Sequence, residues 1–123
     1  MCPDLEFDCL KPVLVEEILD ELKDLGIDIF VELVELFISE TPGYLQKVII
    51  AFENTNYLEL KNASHNLKGA CLNLGAGCMA EICQEIEEKA KEEQAEELGN
   101  LILRLKTAWT VTHEELNHYL DPQ

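Results

Sequence analysis

Positive charge is scarce in this sequence: nine lysines and arginines stand against twenty-five aspartates and glutamates, and the formal net charge is -16. A surface so acidic repels phosphodiester backbones and anionic headgroups, which argues against nucleic acid and against a membrane as partners. No apolar run approaches the ~20 residues that a helix needs to cross a bilayer. The start, Met1-Cys2-Pro3-Asp4, lacks the basic and apolar regions of a secretion signal, so the expected location is the cytoplasm. The five cysteines (Cys2, Cys9, Cys71, Cys78, Cys83) are odd in number and include no Cys-x-x-Cys pair, so neither a disulfide framework nor a zinc site is expected. Cys71 and Cys83 fall on apolar helix faces and read as reduced core residues. There is no glycine-rich phosphate loop and no kinase-type motif, hence no expected nucleotide site. Internal repeats, linkers and low-complexity stretches are also missing, although the glutamates of 81–97 make one acidic flank.

Alternation of β-branched and polar residues is missing too, whereas apolar residues return at three- and four-residue steps throughout. At 123 residues with 47% apolar content, the chain suits a single all-α domain over 1–123. A first helix is expected after Pro12, with Val15, Ile18, Leu19 and Leu22 on one stripe and Gly26 ending it; residues 1–26 then form an N-terminal helical extension. The bundle proper spans 28–119. Asp28 is placed as an N-cap, and Phe30, Leu33, Val34 and Phe37 make the first inward stripe. Thr41-Pro42 interrupts it, so 28–54 is either a kinked rod or two helices meeting at the proline, with Leu45, Val48, Ile49 and Phe52 inward beyond it.

Helices of about 57–74, 78–94 and 95–119 follow, separated by Asn54-Thr55-Asn56 and by Gly75-Ala76-Gly77. The second of these turns Met79, Ile82, Cys83, Ile86 and Ala90 inward, and the third Leu98, Leu101, Leu105, Ala108 and Leu116. Connections this short force neighbours to run antiparallel. The expected architecture is an up-down-up-down four-helix bundle with the N-terminal helix packed alongside.

One helix carries the chemistry. At roughly 100° per residue, Leu60, Ala63, Leu67, Ala70, Cys71 and Leu74 of 57–74 cluster on one buried face, and His65 lies about 200° from Leu67, on the side facing water. Leu58, Lys61, Lys68 and Leu72 share that outer stripe. Two ammonium groups therefore flank one imidazole in an otherwise acidic chain. Gly69 costs the helix about 1 kcal/mol relative to alanine, and its missing side chain leaves room beside the ring for a bulky anion and the domain delivering it. Taken singly, an exposed histidine, a mid-helix glycine and two surface lysines need no function; their coincidence on one stripe is what points to a site.

The run Ala63-Ser64-His65-Asn66-Leu67-Lys68-Gly69-Ala70-Cys71-Leu72-Asn73-Leu74-Gly75-Ala76 resembles the signature of histidine-containing phosphotransfer (HPt) domains: His-x-apolar-Lys-Gly, with a further glycine ten positions after the histidine. Leu36-Phe37 with Thr41-Pro42 upstream, and Met79-Ala80 to Glu87 downstream, extend the likeness to about residues 28–94. The resemblance implies that His65 accepts a phosphoryl group, that Lys68 steadies its oxygens and that Gly69 leaves space, in a phosphorelay between receiver-domain aspartates. It also implies that Mg²⁺ resides in the receiver, that this chain binds no cofactor, and that it is a phosphocarrier without kinase activity. Lys61 would support the charge balance, and Leu58 and Leu72 would form an apolar docking rim. The sequence departs from the family at one point. Where many members carry a glutamine, 22 positions after the histidine, this chain has Glu87; either Gln84 takes over the orienting role, or Glu87 accepts the second ring N–H itself.

Such modules occur free-standing and inside larger kinases; the end of the chain soon after its last helix favours a free-standing, monomeric shuttle. A metal-binding bundle is disfavoured, because Glu115 and His118 make a single Glu-x-x-His pair where a di-iron site needs two, and His113 and His118 sit on poorly matched sides of their helix. The remaining alternative is a non-transferring interaction module, a decoy that binds a receiver through the same stripe.

Overall fold

The computed structural model describes residues 9–120 and, across them, consists of helices without a strand. Cys2 and the other opening residues lie outside the described range. The helices are α1 (Glu16–Lys23), α2 (Ile27–Glu53), α3 (Tyr57–Leu74), α4 (Gly77–Lys91) and α5 (Ala95–Leu120). From α2 onward each packs on the next, and α5 closes back onto α2, while α1 lies against α2 and α3. The core between them holds the expected stripes, with Phe30, Val34, Leu60, Leu67, Ile82, Ile86, Leu98 and Leu105 among its fully enclosed side chains. Leu22, Leu33, Ile49, Phe52 and Ala70, expected inward, pack at its margin instead.

Local chemistry sets the ends of α3, the helix that bears the histidine. Asn56 caps its start by accepting the Glu59 N–H at 3.1 Å. Gly75 stops it in the left-handed region at φ 86, where the amide of Ala76 turns back to the Cys71 carbonyl at 2.8 Å. A side chain at Gly75 would be strained by that φ and would also crowd Ile18, whose Cβ lies 3.0 Å from the Cβ position.

The two readings of residues 28–54 resolve in favour of one continuous helix that carries Pro42 inside it. An interior proline costs about 3 kcal/mol, but Phe37, Thr41, Leu45 and Val48 are buried on both sides of it, and their packing holds the helix together. The Thr41 hydroxyl donates to the Phe37 carbonyl at 2.6 Å within the affected turn. The start of this helix also differs from expectation: Gly26, at φ 120, occupies the cap position, and Asp28 falls in the first turn.

The N-terminal region departs furthest from the sequence reading. The first helix begins only at Glu16, because the residues before it are committed elsewhere. Val15 N–H donates to the Gly75 carbonyl at 2.7 Å, and the Pro12 carbonyl accepts from Cys78 N–H at 2.9 Å. The Glu81 carboxylate receives the amides of Leu10 and Lys11 at 3.0 and 2.8 Å. Residues 9–15 thus form a strap across the start of α4, and it passes so close that a Cβ on Gly77 would meet the Pro12 oxygen at 2.8 Å. The strap brings Cys9 beside Cys78, and the two form a disulfide, contrary to the expectation that no disulfide forms. Sequence spacing could not show it, since the partners are 69 residues apart and meet only through the strap. Cys71 and Cys83 are free and buried, as expected. A hydrogen bond with Cys71, with burial, pushes the Cys83 thiol up, which keeps it from forming the reactive thiolate.

Candidate functional site

His65 stands near the middle of α3 with 65% of its side chain exposed. Its Nδ1 lies 3.2 Å from Oε2 of Glu87 on α4. The other Glu87 oxygen, Oε1, pairs with the Lys68 ammonium at 2.8 Å. Lys68 Nζ also donates to Gln84 Oε1 at 2.6 Å, and Gln84 Nε2 donates to Glu88 at 2.9 Å. The cluster therefore runs from the ring through one carboxylate to one ammonium, braced by a neutral amide.

The two candidates for the orienting role make different contacts. Glu87 touches the ring, and Gln84 holds the lysine. With a carboxylate at Nδ1, the neutral ring carries its proton on that nitrogen, and the lone pair of Nε2 is left to the solvent side. Among the described residues, no protein group bonds Nε2. Burial pushes the Glu87 carboxyl up, but Lys68, with a smaller contribution from His65, outweighs it and holds the group below the ordinary carboxylate value. Glu87 is thus an anion at neutral pH although only 12% of its side chain is exposed.

Lys68 is less free than its place on the outer stripe suggests: its side chain, 19% exposed, is folded down onto α4. Gly69 meets nothing within 4 Å at its Cβ position, so the space beside the imidazole is open. Leu58 and Leu72 are 68% and 56% exposed on the same stripe. Lys61 is half-buried one turn before the histidine and takes no part in the cluster of hydrogen bonds. Two open grooves border the stripe. One, of about 440 Å³, runs between α2 and α3 past Leu36, Phe37, Glu40, Tyr44, Gly69 and His65. The other, of about 460 Å³, lies beyond Lys68 between the strap, α1, α3 and α4, and is lined by Val15, Ile18, Leu72, Ala80 and Gln84.

Sequence reasoning missed the contribution of α2. Glu40 and Tyr44 border the histidine only because α2 packs on α3 in one rotation, and no local pattern marks them. Of the remaining histidines, His113 stacks on Trp109 with ring centroids 5.0 Å apart, and His118 is exposed. Neither adjoins a lysine and glycine as His65 does.

The chain is thus a helical bundle in which the exposed His65 imidazole is backed by an anionic carboxylate and a lysine. Residues 32–117 match the family model of the Hpt domain, and the chain belongs to that family. It is 33% identical over 73 residues to the phosphorelay protein LuxU of Vibrio vulnificus, an alignment that covers 59% of this chain and 64% of the length of that relative. To the phosphorelay protein LuxU of Vibrio harveyi it is 31% identical over 88 residues, covering 71% of this chain and 77% of that one. In fold it is similar to histidine-containing phosphotransfer protein B of Pseudomonas aeruginosa, with a TM-score of 0.82, 22% identity, and coverage of 87% of this chain and 93% of that one. The HPT domain of a Shewanella hybrid histidine kinase gives a TM-score of 0.72 at 21% identity, covering 88% and 93%.

Proposed function

We propose that this protein is a phosphocarrier of a multistep phosphorelay, which takes a phosphoryl group from the aspartyl phosphate of one receiver domain onto His65 and passes it to the aspartate of another. The observation that carries the reading is the arrangement at His65: Nδ1 lies against Glu87 at 3.2 Å while the ring is open to the solvent. Nε2 attacks phosphorus in line, and the aspartyl carboxylate leaves. Lys68 steadies the phosphoryl oxygens, Gly69 leaves the approach clear, and Lys61 adds positive charge one turn away. The apolar rim of Leu58 and Leu72 receives the partner. Mg²⁺ belongs to the receiver, where it serves the aspartyl phosphate.

Membership of the Hpt family and the likeness to relatives named as phosphorelay proteins support this reading. On it the chain has no kinase reaction of its own and works as a monomer in the cytoplasm. Among the described residues, no helix is long and apolar enough to cross a membrane.

The test is transfer without ATP. Mixing the protein with a receiver that carries labelled aspartyl phosphate and Mg²⁺ moves label onto the chain. That label is lost in acid and survives alkali, because protonation weakens a phosphoramidate. His65→Gln folds, still docks and takes no label, while His113 and His118 are dispensable. Equal labelling of the His65→Gln protein, or no transfer from several candidate receivers to the parent, would leave the non-transferring interaction module as the better reading.

A further inference from the structure

The cluster at His65 holds three formal partners and, in the unphosphorylated protein, only one ion pair. Glu87 is the anion, Lys68 is the cation at 2.8 Å, and the ring, 3.2 Å away and neutral as the nucleophile of the phosphocarrier reading must be, is the donor. Transfer changes that count. When the Nε2 lone pair forms its bond to phosphorus, the P–O bond to the aspartyl carboxylate breaks and the carboxylate leaves with the electron pair. The ring still bears its Nδ1 proton, so it is now an imidazolium, and a phosphoryl group with two negative charges sits next to Lys68. Two anions and two cations stand where one of each stood before.

We propose that Glu87 exchanges its cationic partner when His65 is phosphorylated, releasing Lys68 to the phosphoryl oxygens and pairing with the ring, so that the phosphorylated ring keeps its Nδ1 proton and transfer in either direction is proton-neutral. The inference rests on the phosphocarrier reading and adds to it the protonation state of the carrier. Geometry makes the exchange a small one. The lysine and the ring already touch the same carboxylate, one on each oxygen. Gln84 Oε1, 2.6 Å from Nζ, is a neutral anchor on which the lysine can pivot without giving up its last hydrogen bond.

The retained proton has a chemical consequence. Return transfer breaks the N–P bond, and the electron pair goes back to Nε2. From a protonated ring the leaving group is neutral imidazole; from a deprotonated one it would be imidazolate, a far poorer leaving group. Glu87 therefore keeps the carrier competent as a donor. A glutamine at this position could accept the Nδ1 hydrogen bond but would bring no charge to hold the proton there. Other charged or titratable groups face the ring as well. Lys68 approaches from α3, on which Lys61 lies one turn before the ring, Glu40 and Tyr44 line the groove from α2, and Glu88 reaches the cluster through Gln84 from α4. Of the carboxylates among the described residues, Glu87 alone is in hydrogen-bond contact with Nδ1.

The experiment loads the full chain with phosphoramidate, a small-molecule donor that needs no receiver, and follows the phosphohistidine by ³¹P and ring ¹⁵N NMR as pH is raised. The expected midpoint for loss of the Nδ1 proton lies about one pH unit or more higher in the parent than in Glu87→Gln, the size of shift that an adjacent opposite charge produces. It also lies above the midpoint of the same phosphoprotein unfolded in urea, a comparison that stands even if the variant takes no label. Glu40→Gln shifts it less. Transfer from the phosphorylated parent to a receiver stays level with rising pH over the interval in which the Glu87→Gln protein falls off. Coincident midpoints for parent, variant and unfolded chain, or a shift for Glu40→Gln as large as for Glu87→Gln, would overturn the exchange while leaving the phosphocarrier reading intact. A parent that takes no phosphoryl group on His65 from either phosphoramidate or a receiver would overturn both.

Discussion

Lys68 and Glu87 are joined across two helices by a contact of 2.8 Å, and the same carboxylate reaches His65 through its other oxygen. The lysine that the helical stripe was expected to present to the solvent is, in the folded protein, held against the carboxylate that contacts the imidazole. On the proposed function the charge at Lys68 and the orientation of the ring are coupled through Glu87, and substitutions at the three positions have different expected signatures.

Lys68→Ala removes the cation from Glu87 and from the incoming phosphoryl group. Partly exposed ion pairs contribute about 1 kcal/mol or less to stability, so the melting temperature should fall by only a few degrees. Phosphotransfer should slow by on the order of 100-fold, the scale seen when one group that stabilises a transition-state charge is removed. Rapid-quench transfer assays beside thermal melts check this. A loss of transfer no greater than the loss of folded protein would contradict it.

Gly69→Leu separates stability from access. The Cβ position at Gly69 meets nothing within 4 Å, and a leucine in a helix is favoured over glycine by about 0.8 kcal/mol. The variant should melt at the same temperature as the parent or slightly higher, yet accept phosphoryl from a receiver more slowly, because the new side chain fills the approach beside His65. Transfer at the parental rate would remove the steric role of the glycine.

The acid limb of stability should carry a contribution from Glu87. Its carboxyl is held below the ordinary value in the folded state by Lys68 and His65, against the opposing effect of burial. A depressed folded-state pKa gives stability that is fully present above the unfolded carboxylate value and is lost as pH falls through the lowered folded one. Denaturant melts at a series of pH values should show a shallower acid decline for Glu87→Gln than for the parent. Parallel curves would mean that the cluster contributes nothing to folding.

The Cys9–Cys78 bond should matter for the strap and not for the chemistry. Closing a long loop typically stabilises a fold by about 2–4 kcal/mol, so Cys78→Ser or reduction should lower the melting temperature measurably. Hydrogen bonds from Val15, Leu10, Lys11 and Cys78 still hold the strap in the reduced protein. Transfer through His65 should be unchanged, as a parallel assay with and without reductant would show. A reducing cytoplasm, the expected setting, would then be compatible with function.

Residues near one another in sequence settled what depends on local periodicity. The limits of α3 coincide with the expected 57–74, because Asn56 and Gly75 end it through their own backbone and side-chain chemistry. His65 faces water because a helix turns about 100° per residue, which places it opposite Leu67 wherever the rest of the chain goes. Lys68 and Gly69 share its stripe for the same reason.

Contacts between helices settled the rest. Whether Gln84 or Glu87 meets the ring depends on how far α4 is rotated against α3, and that rotation is set by the packing of Cys71, Met79, Cys83 and Ile86 in the core between them. Pro42 leaves α2 unbroken because burial on both sides of it outweighs a local defect. Glu40 and Tyr44 reach the groove, and Cys9 meets Cys78, only through contacts between segments far apart in the chain. Helical periodicity is a property of neighbouring residues and so is written in the sequence, whereas the rotation and register of one helix against another are chosen by the packing of the whole core, and there the partner of His65 was decided.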